Sequence, residues 1–143
     1  LDISQNNMKI VIPLHPRTKK MLNINLERET YERLFLSDKI ILIPPASFFE
    51  IILLEKHAKM VMTDSGGVQK EAFFFEKPCI ILRPETEWVE IIEAGAGVIA
   101  DADYDKIIEG YKKLSNSKVV FPQLFGDANA SKYIIREIIN YLT

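Results

Sequence analysis

The sequence predicts an α/β fold, a doubly wound parallel sheet with helices on both faces, and three observations carry that prediction. Short apolar runs recur near residues 10, 41, 61, 81 and 98, separated by stretches of helical spacing. Parallel neighbours need crossover connections, which this alternation supplies. The residues with chemistry to offer, His15, the 44–48 loop, the 64–67 turn and the 83–87 segment, all follow apolar runs. That is where open α/β sheets gather their ligands.

Residues 9–14 are β-branched-rich and close on His15-Pro16, so they read as a buried strand with His15 at its end. Residues 19–26 have helical spacing, and 29–35 fit a further helical turn or a loop. Residues 39–43 form a second strand, stopped by Pro44 and Pro45. Ser47 with Glu50 three residues on is a capping-box pattern, and Phe48, Ile51, Ile52, Leu53 and Leu54 predict that the helix it opens is mostly buried. His57 stands near that helix's end, where a cation suits the dipole, and reads as a structural or surface histidine.

Residues 60–62 make a third strand, a helix opens at Val68, and residues 79–82 make a fourth strand that ends on Arg83. The helix between them carries Phe73, Phe74 and Phe75 in succession, which cannot share one side. Ordinary core and a covering partner domain both account for that. Residues 88–94 predict a short helix with Thr86 or Glu87 at its start and Gly95 at its end. A brief strand (97–100), a helix (104–114) and a loop (115–126) follow. The last helix (128–142) has Tyr133, Ile134, Ile138 and Tyr141 on one side and Asp127 as its N-cap.

The 143 residues suffice for one domain with a real core, which is read as spanning 1–143. A formal net charge of -2 gives no reason to expect nucleic acid or anionic lipid as a partner. The single cysteine, Cys79, lies inside an apolar strand pattern and reads as core, and the absence of a disulfide framework fits a reducing, cytoplasmic compartment. No apolar run approaches the roughly 18 residues that span a bilayer. The chain opens at Leu1 without an initiator methionine, and the expectation is a processed or excised piece of a longer protein.

The segment that organises the chain runs from the third strand to Glu87. Two glycines between a strand and a helix let the backbone turn tightly and let a ligand approach it. The helix's first N–H groups and the positive end of its dipole then favour an anion over Ser65, Gly66 and Gly67. Arg83, after the next strand, would emerge at the same edge with a guanidinium fork suited to phosphate or carboxylate. The same residues have a plainer account, in which Asp64 or Ser65 caps the helix and Arg83 pairs with Glu85 or Glu87.

The string from Thr63 to Ala72, then Lys77-Pro78 and Leu82 to Glu90, resembles the carboxyl-terminal half of the UDP-N-acetylglucosamine 2-epimerase family. The upstream His15-Pro16-Arg17-Thr18 and the late Phe125-Gly126-Asp127 fit the family's order, so the likeness spans nearly the whole chain. It implies one Rossmann-like half of a GT-B type two-domain enzyme that inverts C2 of a UDP-N-acetylhexosamine by eliminating UDP and adding it back. Carried over by position, Ser65, Gly66 and Gly67 would hold the diphosphate, Glu71 the ribose hydroxyls, and Arg83 the nucleotide's charged portion. His15 would lie beside the diphosphate and sugar as the catalytic residue, with Arg17 and Glu87 as further candidates.

Physical chemistry agrees with those roles. Donors fixed where the leaving oxygen gains charge lower the barrier. Glu71, four residues after Gly67, can face the same mouth, and a histidine at a strand end can donate a proton. For Glu87, a helix cap or a partner for Arg83 is an equal reading. Residues 45–51 fall where the family binds uracil but depart from its pattern, leaving Phe48 or Phe49 as a stacking partner or as core. Pro84, Glu85, Trp88 and Val89 resemble a subgroup acting on other N-acetylated UDP-sugars, such as the diacetamido uronic acids.

The resemblance further implies a UDP-sugar substrate, no cofactor or metal, and a missing amino-terminal domain that supplies the groups for proton transfer at C2. The chain alone is therefore expected to be inactive. Whether the full-length protein is a homodimer stays open. Two alternatives remain: the donor-binding domain of a GT-B glycosyltransferase, and a non-catalytic nucleotide-sugar-binding module.

Overall fold

The computed structural model describes residues 1–6 and 8–142. A one-turn helix α1 (Asp2–Gln5), absent from the sequence reading, precedes β1 (Ile10–Pro13), α2 (Pro16–Asn25), α3 (Arg28–Leu36) and β2 (Ile40–Ile43). Then come α4 (Phe48–His57), β3 (Val61–Thr63), α5 (Gly66–Phe74), β4 (Cys79–Ile81), α6 (Val89–Glu93), β5 (Gly97–Ile99), α7 (Tyr104–Asn116) and α8 (Ala130–Leu142). The alternation is the predicted one, and every strand pairing is parallel. Of the two readings of residues 29–35, the helix is correct: α3 forms, with Arg28 bonded to Glu32 one turn on at 2.9 Å.

Among the described residues the ladders fall into two groups, β1-β2 and β3-β4-β5, rather than one continuous run. β4 is the centre of the second group. Its residues alternate between faces as a strand's must. Cys79 and Ile81 pack with Ala72 of α5, while Ile80 packs with Ala100 and with Leu114 of α7. Helices thus cover both faces of this sheet, which is the doubly wound arrangement, and all three β4 residues are buried.

A third cluster joins Phe73 of α5 to Ile91 of α6 and Ala96. Phe73 is therefore ordinary core, whereas Phe74 is 59% exposed. Both rings meet Phe125, at 5.4 and 5.8 Å between centroids, so the loop before α8 lies against α5. Helix ends follow their sequence signals. Glu50 accepts from the Ser47 backbone N–H at 2.7 Å, completing the capping pattern of α4, and Asp103 caps α7 through the Lys106 N–H at 3.0 Å. Gly95, at φ 71°, takes the left-handed turn that closes α6.

Three local expectations change. α4 is not mostly buried: Phe48, Phe49 and Leu53 are exposed, and its one fully buried residue is Glu55. Asp127 does not cap α8. It accepts from the Asn129 N–H at 3.0 Å within a turn where Ala128 has φ 63°, and the helix starts only at Ala130. α5 begins at Gly66, two residues before Val68. No described helix is long and apolar enough to cross a membrane.

Candidate functional site

The parallel register decides which loops meet. Thr63 of β3 is level with Ile81 of β4, so the turn after β3 and the segment after β4 leave the sheet side by side. The turn leads straight into α5. Its first helical hydrogen bond is Gln69 N–H to the Ser65 carbonyl, at 3.2 Å, so the N–H groups of Gly66, Gly67 and Val68 have no acceptor within the helix. The Ser65 N–H is occupied by Thr63 Oγ1 at 3.0 Å. Ser65 is the N-cap residue, yet its hydroxyl makes no capping bond. The plain capping account of Asp64 or Ser65 therefore does not hold, and three orphan donors remain at the positive end of the helix dipole.

The pair of glycines works differently from the tight turn that the sequence suggests. Neither has positive φ, and both belong to the first turn of α5. What matters at Gly66 is the missing side chain. A Cβ there would lie 3.1 Å from Glu87 Oε2 and 3.8 Å from Arg83 Nη1, so glycine is what lets these two charged groups close over the helix end.

Arg83 and Glu87 meet in a two-pronged pair, at 2.9 and 3.2 Å. The pairing foreseen as an alternative is real, and it sits beside the open first turn of α5. Glu87's own backbone N–H, and after it the Arg83 guanidinium, hold that carboxyl below its ordinary pKa. A carboxylate is thus already lodged beside the orphan donors.

Sequence reading missed the clip that holds this segment in place. Thr86 Oγ1 donates to buried Gln69 Oε1 at 2.6 Å and accepts from the Trp88 N–H at 3.0 Å, and the Trp88 indole N–H donates to the Gly66 carbonyl at 2.8 Å. Lys70 Nζ lies over the Trp88 and Phe125 rings, 4.2 and 4.6 Å from their centroids. The 83–88 segment is thereby fastened to the first turn of α5. A tryptophan two residues beyond a threonine was visible as a pattern, but its partner, 22 positions earlier, was not.

His15 and Arg17 follow the other strand pair, at the start of α2. β1 and β2 end level with each other, and the Leu14 N–H bonds the Ile43 carbonyl at 2.9 Å, which puts His15 beside the Pro44-Pro45 turn. His15 is exposed and is the N-cap of α2, its Nδ1 accepting from the Arg17 N–H at 3.2 Å. A nitrogen that accepts carries no proton, so the neutral ring keeps its proton on Nε2, the nitrogen left for an outside acceptor. The hydrogen bond recorded for His15 is local and does not reach the glycine turn.

Glu71, on α5, is half-buried and faces Glu55 of α4. Burial, and after it the charge of Glu71, push the Glu55 carboxyl up to about 7. Nothing in the local sequence marked Glu55 except its place among the apolar residues of α4. Cys79 is core as expected, 1% exposed, with burial pushing its thiol up to about 12.

A family model described as UDP-N-acetylglucosamine 2-epimerase matches residues 1–139. A Methanococcus maripaludis protein named as a UDP-N-acetylglucosamine 2-epimerase homolog is 38% identical over 95% of this chain and 37% of its own length. A Pseudomonas aeruginosa UDP-2,3-diacetamido-2,3-dideoxy-D-glucuronate 2-epimerase is 42% identical over 93% of this chain and 35% of its own length. The fold superposes on the Methanocaldococcus jannaschii UDP-GlcNAc 2-epimerase in complex with UDP-GlcNAc and UDP, with TM-score 0.78 and 35% identity over 97% of this chain and 37% of that one. The chain thus spans about a third of the length of the curated relatives it matches.

Proposed function

Because the chain belongs to the UDP-N-acetylglucosamine 2-epimerase family, we propose that it is the carboxyl-terminal, UDP-sugar-binding domain of an enzyme that inverts C2 of a UDP-N-acetylhexosamine. One observation carries the reading: three uncommitted N–H groups open α5 directly beneath the Arg83 guanidinium. In this reading the diphosphate takes the place that the Glu87 carboxylate approaches, held by Gly66, Gly67 and Val68 N–H, by the Ser65 hydroxyl and by Arg83. Glu71 accepts from the ribose hydroxyls.

Chemistry follows from where charge develops. When the bond between C1 and the diphosphate breaks, the departing phosphate oxygen becomes more negative, and donors already fixed around it lower the barrier. His15 Nε2–H is assigned to that oxygen, and returns to the same role when UDP adds back. Removal and return of the proton at C2 are assigned to an amino-terminal domain. The setting that suits this activity is the supply of N-acetylated sugar nucleotides to polysaccharide synthesis in the cytoplasm.

A second substrate, a UDP-diacetamido uronic acid, is favoured by the 42% identity to a diacetamido-glucuronate epimerase, in keeping with the resemblance of Pro84, Glu85, Trp88 and Val89 to that subgroup. The test is direct. Offered UDP-N-acetylglucosamine, this chain should bind it and form no UDP-N-acetylmannosamine, as followed by anion-exchange chromatography. Appreciable epimerisation by this chain alone would refute the assignment of proton transfer to another domain.

A further inference from the structure

Glu55 is 5% exposed, and both of its carboxylate oxygens are buried without a hydrogen-bond partner among the described residues. What faces it from α5, which packs on α4, is a second carboxylate, Glu71. From β4 it is faced by the thiol of Cys79, which burial keeps protonated. On α4 itself the neighbouring Lys56 and His57 are exposed, and His57 Nδ1 lies 2.8 Å from the Leu53 carbonyl. Two facing carboxylates with no other donor among the described residues resist being ionised together. Below neutrality one proton lies between them, and the more buried of the two keeps it.

We propose that Glu55 is a positioning residue, its carboxyl O–H donating to Glu71 and so fixing the carboxylate that accepts from the ribose hydroxyls of the nucleotide sugar. The proposal rests on the assignment of Glu71 to the ribose. A protonated Glu55 gives Glu71 one donor on its buried side and leaves its remaining lone pairs to the substrate. Once Glu55 ionises, that donor is gone and a second negative charge stands against Glu71. Ribose binding therefore weakens as pH rises through neutrality.

The probe is UDP-N-acetylglucosamine, whose diphosphate diester has no proton that titrates near pH 7, bound to this chain between about pH 6 and about pH 8.5. Wild-type affinity should fall about fivefold to tenfold across that range, the scale of one ordinary hydrogen bond. Glu55→Gln keeps a donor that cannot titrate, and should bind with the wild type's low-pH strength and a flat profile. The 2′-deoxyribose counterpart of the ligand keeps only the 3′ hydroxyl, and should bind more weakly with a clearly shallower slope. A slope that survives in Glu55→Gln, or one that the deoxyribose ligand shares in full, would overturn the proposal. If Glu55→Gln does not fold, the two ligands compared on the wild type still decide.

Glu71→Gln separates this from the underlying reading. If that variant still distinguishes ribose from deoxyribose, the assignment of Glu71 fails and Glu55 goes with it. If the distinction is lost there while Glu55→Gln keeps the wild-type slope, the role of Glu55 alone is refuted.

Discussion

Arg83→Ala should weaken the binding of UDP to this chain by about 10- to 100-fold, measured by calorimetric titration. Charge-assisted hydrogen bonds contribute about 1.5–3 kcal/mol each, and the guanidinium is the cation placed beside the open end of α5. Removing it has a second cost. Glu87, now held to Arg83 at 2.9 Å, would keep its negative charge at the mouth of the site with nothing to offset it. Arg83→Lys would restore charge without the planar fork and should recover only part of the loss.

Glu87→Gln frees the guanidinium and removes a competing anion, and should tighten UDP binding severalfold. Neither change should unfold the protein. The pair is partly exposed, with Glu87 at 56%, and pairs of that kind contribute little to stability. Loss of affinity in Arg83→Ala with an unchanged melting temperature is therefore the expected combination.

Ile80→Ala should have the largest effect on stability, lowering it by about 2–5 kcal/mol. Ile80 is the middle residue of the central strand, is 0% exposed, and packs with Ala100 of the neighbouring loop and Leu114 of α7. Its neighbours are fixed by the β3-β4-β5 ladder and cannot collapse into the space a truncation leaves. A domain of this kind holds only about 5–15 kcal/mol in reserve, so the melting temperature should drop on the order of 10 °C. In urea the midpoint should fall while the slope is kept. Ile41→Ala offers the comparison: Ile41 is 40% exposed on β2, and its truncation should cost far less.

Much of the fold was legible because strand ends and helix starts are written in residues with few options. Pro44 and Pro45 end a strand whichever sheet it joins, Glu50 announces a capping box, and Gly95 takes a backbone angle that other residues resist. Periodicity also placed Cys79 and Ile80 in a buried strand. What periodicity could not supply was which apolar face meets another element. The residues of α4 predicted a buried helix, yet Phe48 and Phe49 stand in solvent and a glutamate occupies the inside.

The site divides along the same line. Ser65, Gly66, Gly67 and Arg83 could be named because a strand, a helix end and a following strand of a parallel sheet bring them to one edge whatever the side chains elsewhere do. The link from Trp88 to Gly66, the seat of Thr86 on Gln69 and the meeting of Glu55 with Glu71 depend on side chains from distant positions. Those contacts follow from packing, and only coordinates show them. His15 illustrates the boundary: its strand end was foreseen, but its capping of α2, which selects the proton-bearing nitrogen, was not.

A phosphate cradle at the amino end of α5, guarded by Arg83, is open to a titration: UDP is added to the isotopically labelled chain, and each backbone amide resonance is followed together with the Arg83 side-chain N–H signals. Saturable shifts should be greatest at Gly66, Gly67, Val68 and Arg83, and the Arg83 signals should leave their Glu87-bonded position. Shifts confined to other elements, with the first turn of α5 unmoved at saturation, would contradict it.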